Sequence, residues 1–292
     1  MKKLMLAVVM VGLGSLNASA ELVSYYIGRD LRETIPTGPY AGLANPNYNR
    51  LTLLYAHTYE LTPEINHYHS KSTYTYFGPN LGAATAVQPF NGTAAGEPRN
   101  YLPETAGGRI VLLPGSGVFA GQFVSGLTPG VEYADLRIKS VDSLAGFPDG
   151  SPENILWKSG GNQPVGRWAG SMAGSRITLV LVEASAGLVV ADALGNTILS
   201  NPGDVYELGD GGVGLDFTPI FAANRLGQHY AVFKLVDSGT GNDGGPWGES
   251  GLFRYNMRAA VPEPGSLVLA LGGLGTAGLL AGRRRRRVRV VR

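Results

Sequence analysis

The chain has no cysteine. Disulfides, thiolate metal sites and cysteine nucleophiles are excluded, so stability must rest on a buried core or on bound metal. Histidine is scarce, at four in 292 residues, so any clustering of it is informative. Continuous helical periodicity is rare between residues 21 and 260. Catalytic signatures are missing too. There is no H-E-x-x-H, no G-x-S-x-G nucleophile elbow, and no glycine run ending in the Lys-Ser/Thr of a phosphate loop. No G-x-G-x-x-G leads from a strand into a helix. Asp210-Gly211-Gly212 and Asn242-Asp243-Gly244-Gly245 lack the alternating ligands and closing Glu of a calcium loop, and read as turns. These absences predict a protein that is not an enzyme. A secreted carbohydrate-active enzyme is the last-ranked reading, kept because glycosidase carboxylates leave no spacing to read.

What is abundant is turn chemistry. Glycine (43) and proline (18) make up about a fifth of the chain. Between these clusters lie short runs rich in Val, Ile, Leu, Tyr, Phe and Thr, which predict an all-β fold of the β-sandwich type. The clearest runs are residues 50–59, 67–77, 176–183, 228–237 and 251–258. In 228–237, His229, Ala231, Phe233 and Leu235 share one face by the period of two. Residues 147–174 turn to Gly, Pro, Ser and Trp and are the best candidate lobe boundary in an otherwise continuous domain. Trp157 and Trp168 there read as packing residues.

The two ends differ from the middle. Lys2 and Lys3 precede an apolar run over residues 4–16, and Ala18-Ser19-Ala20 forms a small-x-small site. That is the pattern of a secretory signal peptide, residues 1–20, with Ala18 and Ala20 marking cleavage. Its route is the Sec translocon. At the other end, residues 266–282 are apolar or small without a charge, and Arg283, Arg284, Arg285, Arg286 and Arg287 follow at once. The length is at the short end for a membrane-spanning helix, and the arginines mark a cytoplasmic stop. The ends hold nine of the 24 basic residues and one of the 22 acidic ones, leaving 15 basic against 21 acidic in the middle. An exported domain over residues 21–260 is therefore acidic and not a nucleic-acid binder.

Val261-Pro262-Glu263-Pro264, the apolar span and the arginine cluster, in that order, resemble the PEP-CTERM sorting signal of Gram-negative bacteria and cyanobacteria. The resemblance implies that residues 261–292 are a sorting signal, with Pro262, Glu263 and Pro264 as its recognition motif. It implies exosortase, an integral-membrane transpeptidase-like protease, as a partner, and transient residence in the inner membrane. The product would be at the cell surface or extracellular.

Three of the four histidines, His57, His67 and His69, fall within 13 residues. In a strand, His67 and His69 point to the same face. A hairpin centred near residue 62 sets His57 opposite His67, and directly paired residues lie about 5 Å apart. Three converging imidazoles suit Zn²⁺. The fourth ligand is left open among His229, Glu60, Glu64 and water, and copper or nickel takes the same donors. The same pattern also fits surface histidines with stacking or hydrogen-bonding roles.

Y-A-G-L-A-N-P-N-Y-N-R-L-T-L-L-Y-A-H (40–57), N-H-Y-H-S (66–70), F-K-L-V-D (233–237) and W-G-E-S-G-L-F-R-Y (247–255) resemble a family of PEP-CTERM proteins controlled by the zinc-uptake repressor Zur. That resemblance implies a part in zinc homeostasis. The alternative is a structural or adhesive protein of the biofilm or envelope matrix, with an exopolysaccharide as partner. Cleavage after Ala20 predicts that the exported protein begins at Glu21. N-terminal sequencing checks this, and a mature start at Met1 would refute the signal peptide.

Overall fold

The first two strands are buried almost without a break. In β1 (Tyr25–Arg29) four residues in a row are buried, and in β2 (Leu51–His57) six are. A strand with one wet face alternates, so an unbroken apolar run means cover on both faces. The computed structural model describes residues 22–59, 61–77, 86–89, 109–126, 136–159, 166–168, 170–239 and 246–261, and it supplies both covers.

β1 and β2 are antiparallel, with Tyr25 opposite Tyr55 and Ile27 opposite Leu53. β3 (His67–Ser70) adds to the far side of β2 as an edge strand. β4 (Tyr74–Phe77) leaves this sheet and pairs with β5 (Ala86–Pro89). The sequence pattern predicts one strand over residues 67–77, but residues 71–73 break it. Ser72 turns its hydroxyl to Leu53 N–H at 2.7 Å, taking the place of a ladder carbonyl. The Asn47 amide then captures both main-chain groups of Tyr74, accepting its N–H at 2.6 Å and donating to its carbonyl at 2.9 Å.

β6 (Ile110–Pro114) and the short β7 (Phe123–Val124) follow, then β8 (Ile138–Ser140), which lies parallel to β1. The turn-rich stretch 147–174 holds α1 (Pro152–Lys158), among the described residues the one α-helix. Ser151 caps it by accepting Asn154 N–H at 3.1 Å, and Pro152 takes the first turn. Leu156, Trp168 and Met172 from this stretch join the same buried core as the strands on either side, and Trp157 packs against it. Trp168 and Val141 approach β1 so closely that a Cβ on Gly28 would lie 3.3 Å from each. This layer covers the Tyr26–Leu54 face.

The other cover is a larger sheet. β9 (Arg176–Ala184), β10 (Leu188–Ala191), β11 (Thr197–Leu199), β12 (Val205–Asp210), β13 (Asp216–Phe217), β14 (Ile220–Ala223), β15 (Gly227–Asp237) and β16 (Phe253–Ala259) complete the strands. Seven of them join β6 and β7 in one nine-stranded sheet in the order β11-β10-β14-β7-β6-β16-β15-β9-β12, while β13 joins the five-stranded sheet β13-β8-β1-β2-β3. β11 and β12 are its two edges yet neighbours in sequence, joined by the turn at residues 200–204. There the Asp204 carboxylate accepts Ser200 and Asn201 N–H groups at 2.7 and 2.8 Å, which hold it below the usual carboxylate range. The sheet is mostly closed on itself and barrel-like. The mostly-β class follows the sequence pattern. In place of two flat facing layers, however, the larger sheet curls, because register shifts in β9, β12 and β15 add local twist.

In β15 the odd positions His229, Ala231, Phe233 and Leu235 are buried and the even ones half-exposed, as the alternation predicts. Phe233 contacts Phe221, Phe253 and Tyr255, and Tyr255 meets Tyr25 of the smaller sheet at 5.6 Å between centroids. These rings are the inter-sheet core. Burying each contributes roughly 1.5–3 kcal/mol. Burial also pushes the Tyr255 phenol far above its ordinary value.

Asp30, fully buried at the end of β1, ties the loops together. It accepts Arg167 Nε at 2.9 Å and also Nη2, Asn45 Nδ2 at 2.9 Å and Arg32 N–H at 3.0 Å. Asp30→Ala would strand Arg167, which is about a fifth exposed. The expected loss is about 3 kcal/mol, at the low end for a broken buried pair. Urea unfolding reads it, and a loss under about 1 kcal/mol would show that the network is dispensable.

Candidate metal centre

Leu53, Tyr55 and His57 of β2 lie on the face that carries Tyr25 and meets the larger sheet. Opposite them run residue 71, His69 and His67: Lys71 N–H bonds to Leu53 O, Tyr55 pairs with His69, and His57 pairs with His67. The hairpin register expected from Pro63 is the one found, with a 3₁₀ turn (Pro63–Ile65) at its tip. Along one row, burial falls from Tyr25 and Tyr55, both nearly inaccessible, to the exposed His69 on the edge strand.

The three rings converge. Their centroids are 5.2 Å apart for His57–His67, 5.6 Å for His57–His69 and 4.8 Å for His67–His69. One nitrogen from each can be chosen so that all three lie within 4.8 Å of one another. His67 Nε2 and His69 Nε2 are 3.1 Å apart. His67 Nδ1 lies 2.7 Å from the Ile65 carbonyl oxygen. A carbonyl only accepts, so Nδ1 carries the proton and Nε2 keeps its lone pair toward His69. A backbone carbonyl fixing the tautomer is the usual support of a metal-ligating imidazole.

The floor is aromatic. The Tyr55 ring lies 6.2 Å from His57 and 6.5 Å from His69, with the buried Lys71 ammonium 5.4 Å from its centroid. Tyr68, between the two histidines in sequence, points to the opposite face and packs edge-on against Tyr26. Burial, then the neighbouring Tyr26, pushes its phenol well above the usual range. Tyr59 stands beside His57, its Oη 3.1 Å from Nε2 and 3.3 Å from Nδ1. Tyr59 lies two residues beyond His57 in sequence, a spacing that keeps the two on one side of an extended chain.

His229 is not brought to this cluster. It is buried in β15, with Nε2 3.0 Å from the Arg225 carbonyl and Nδ1 3.3 Å from Ser185 Oγ. Both ring nitrogens serve the fold, which answers its candidacy as a ligand. Glu64 is exposed in the 3₁₀ turn and, among the described residues, no carboxylate belongs to the cluster. Glu60 lies outside the described residues, as do Ala18, Ala20, Pro262, Glu263, Pro264, Arg283, Arg284, Arg285, Arg286, Arg287 and the apolar span 266–282. Among the described residues, no helix is long and apolar enough to cross a membrane.

Residues 260–286 match the family model of the PEP-CTERM protein-sorting motif. The match begins one residue after β16 ends at Ala259. It implies processing by exosortase and export toward the cell surface or extracellular space. No curated protein matches the chain.

His229→Leu should destabilise the fold by about 1–3 kcal/mol, because the Arg225 carbonyl and Ser185 hydroxyl lose a buried partner. The imidazole NMR resonances of the hairpin histidines should stay in place. Their movement in a folded variant would return His229 to the cluster.

Proposed function

We propose that this exported, exosortase-processed chain is a metal-binding protein. Its β2–β3 hairpin captures a divalent transition ion, zinc first, and the protein serves zinc homeostasis outside the inner membrane. The observation that carries the reading is the His67–His69 pair. Two Nε2 atoms lie 3.1 Å apart, and one of them has its tautomer set by a backbone carbonyl. Donors held about 2.0–2.1 Å from a tetrahedral zinc are themselves about 3.3 Å apart. Imidazole donors, with no carboxylate beside them among the described residues, suit zinc, copper or nickel rather than calcium or magnesium.

The site lies at the edge of the sheet, at the solvent end of the aromatic row. Such a site exchanges its ion with the surroundings, and the fold does not need the metal to form. That favours capture or delivery over a structural zinc, and binding over catalysis. The resemblance to the Zur-controlled proteins supports zinc as the ion. On this reading the Sec translocon exports the chain. Exosortase recognises Pro262, Glu263 and Pro264, and the inner membrane holds the tail through residues 266–282 until processing.

Calorimetric zinc titration of the processed protein should show one site per chain. The double variant His67→Ala/His69→Ala should lose that site while keeping the same apo unfolding free energy within about 0.5 kcal/mol. A folded parent that binds no zinc, copper or nickel would sink the metal reading and leave the structural or adhesive role in the matrix, with exopolysaccharide as the partner to test.

A further inference from the structure

We infer that the end of the larger sheet where β16 stops is a membrane-contact face, seated on an anionic lipid surface while the tail is still attached. The inference rests on the reading that residues 266–282 hold the chain in the inner membrane. It adds the surface by which the domain meets the bilayer.

The strand register gathers this face. β16 stops at Ala259, opposite Gly227 at the start of β15 and beside Leu112 of β6. Leu226 immediately precedes Gly227, Val261 lies two residues beyond Ala259, and Val111 stands beside Arg258. Neighbouring strands lie about 5 Å apart, so the three side chains share one end of the sheet. They are 55, 57 and 46% exposed, whereas the alternate residues Ile110, Leu112, Met257 and Ala259 are buried in the core. Apolar side chains gathered in water on the outside of a sheet mark a contact surface.

Charge names the partner. Arg225 and Arg258 are exposed on the same end, and residues 224–228, 258–261 and 110–114 contain no carboxylate. Apolar side chains flanked by arginine suit the boundary between acyl chains and anionic headgroups.

The distance to the tail selects lipid over other occupants. Val261 is exposed at the end of the described chain, and the uncharged run begins at Ser266. Five residues reach at most about 18 Å when fully extended. The headgroup layer takes about 5–8 Å of that. What is left is roughly 10 Å, about the spacing of two packed sheets. A domain on so short a tether turns the end of β16 toward the bilayer. The tether also keeps the patch at high local concentration over the lipid, so a weak contact suffices.

The absence of cysteine makes single-site labelling clean. Leu226→Cys and Val111→Cys each carry an environment-sensitive fluorophore, with Val213→Cys as the distant reporter. Val213 is exposed and follows β12, whose last residue pairs with Arg176 next to the Asp237 end of β15. The eleven residues of β15 put that end about 33 Å from Gly227. Each labelled protein, still bearing its tail, is reconstituted into phosphatidylethanolamine–phosphatidylglycerol vesicles with and without nitroxide-labelled lipid. Flotation reads anchoring, and circular dichroism shows which variants are folded. The expected result is a blue shift and loss of emission to the nitroxide lipid at 226 and 111, and neither change at 213. The quenching should weaken as phosphatidylcholine replaces phosphatidylglycerol, and quenching indifferent to that exchange would overturn the role of the arginines. A floating, folded chain with no quenching at 226 or 111 would overturn the inference and leave the anchoring intact. A blue shift without lipid quenching, fading as the chain is diluted over more vesicles, would put a second copy on the patch and overturn it too. A chain that does not float would overturn the anchoring and the inference together.

Discussion

Parity along β2 is the constraint on which the rest depends. Its odd residues, Leu51, Leu53, Tyr55 and His57, look toward the curled sheet, and its even residues look toward α1 and Trp168. Side chains alternate strictly along a strand, so a slip of one residue would carry both sets to the wrong layer. The same slip would turn the three histidines away from each other. Core packing therefore enforces the geometry of the site: the aromatic row from Tyr255 through Tyr25 and Tyr55 locks the register that brings His57 opposite His67.

Polar groups do the complementary work at the ends of the strands. Asp30 gathers Arg167, Asn45 and the turn at Arg32, while Asn47 diverts the chain at Tyr74. Each gives donors or acceptors of an irregular segment a buried side-chain partner. This matters in a chain that carries an export-sorting motif and has no cysteine to form a disulfide. Its loops are held by buried charge and amide pairs, and its sheets by rings. The Lys71 ammonium, packed over Tyr55, places positive charge beside the histidines. That charge disfavours a cation, so the proposed ion site would depend on donor geometry more than on local field.

The last described strand lies inside its sheet. β16 runs between β15 and β6 in the middle of the larger sheet, and Ala260 N–H still bonds to Leu112 O at 3.0 Å. The sorting motif matches from residue 260. The match to the sorting motif therefore starts at the residue after the last described strand, and removal of residues 260–292 would leave every described strand in place.

Local patterns were legible in the sequence wherever the physics is local. Period-two alternation marked β15 and β9, Pro63 marked the hairpin tip, and the hairpin placed His57 opposite His67. The order of motif, span and arginines marked the sorting tail. The capped helix α1 was written in Ser151-Pro152-Glu153, but the surrounding glycines and prolines masked it. Tertiary structure alone decided the rest. The nine-stranded order and its curl depend on pairings between strands far apart in sequence and on register shifts that have no residue signature. His229 became a core residue because the turn at Arg225 offers it a carbonyl, and Tyr59 joined the histidines because Asn66 reaches across the loop. Neither partner lies on the same strand as the residue it holds, so strand periodicity carries no trace of them.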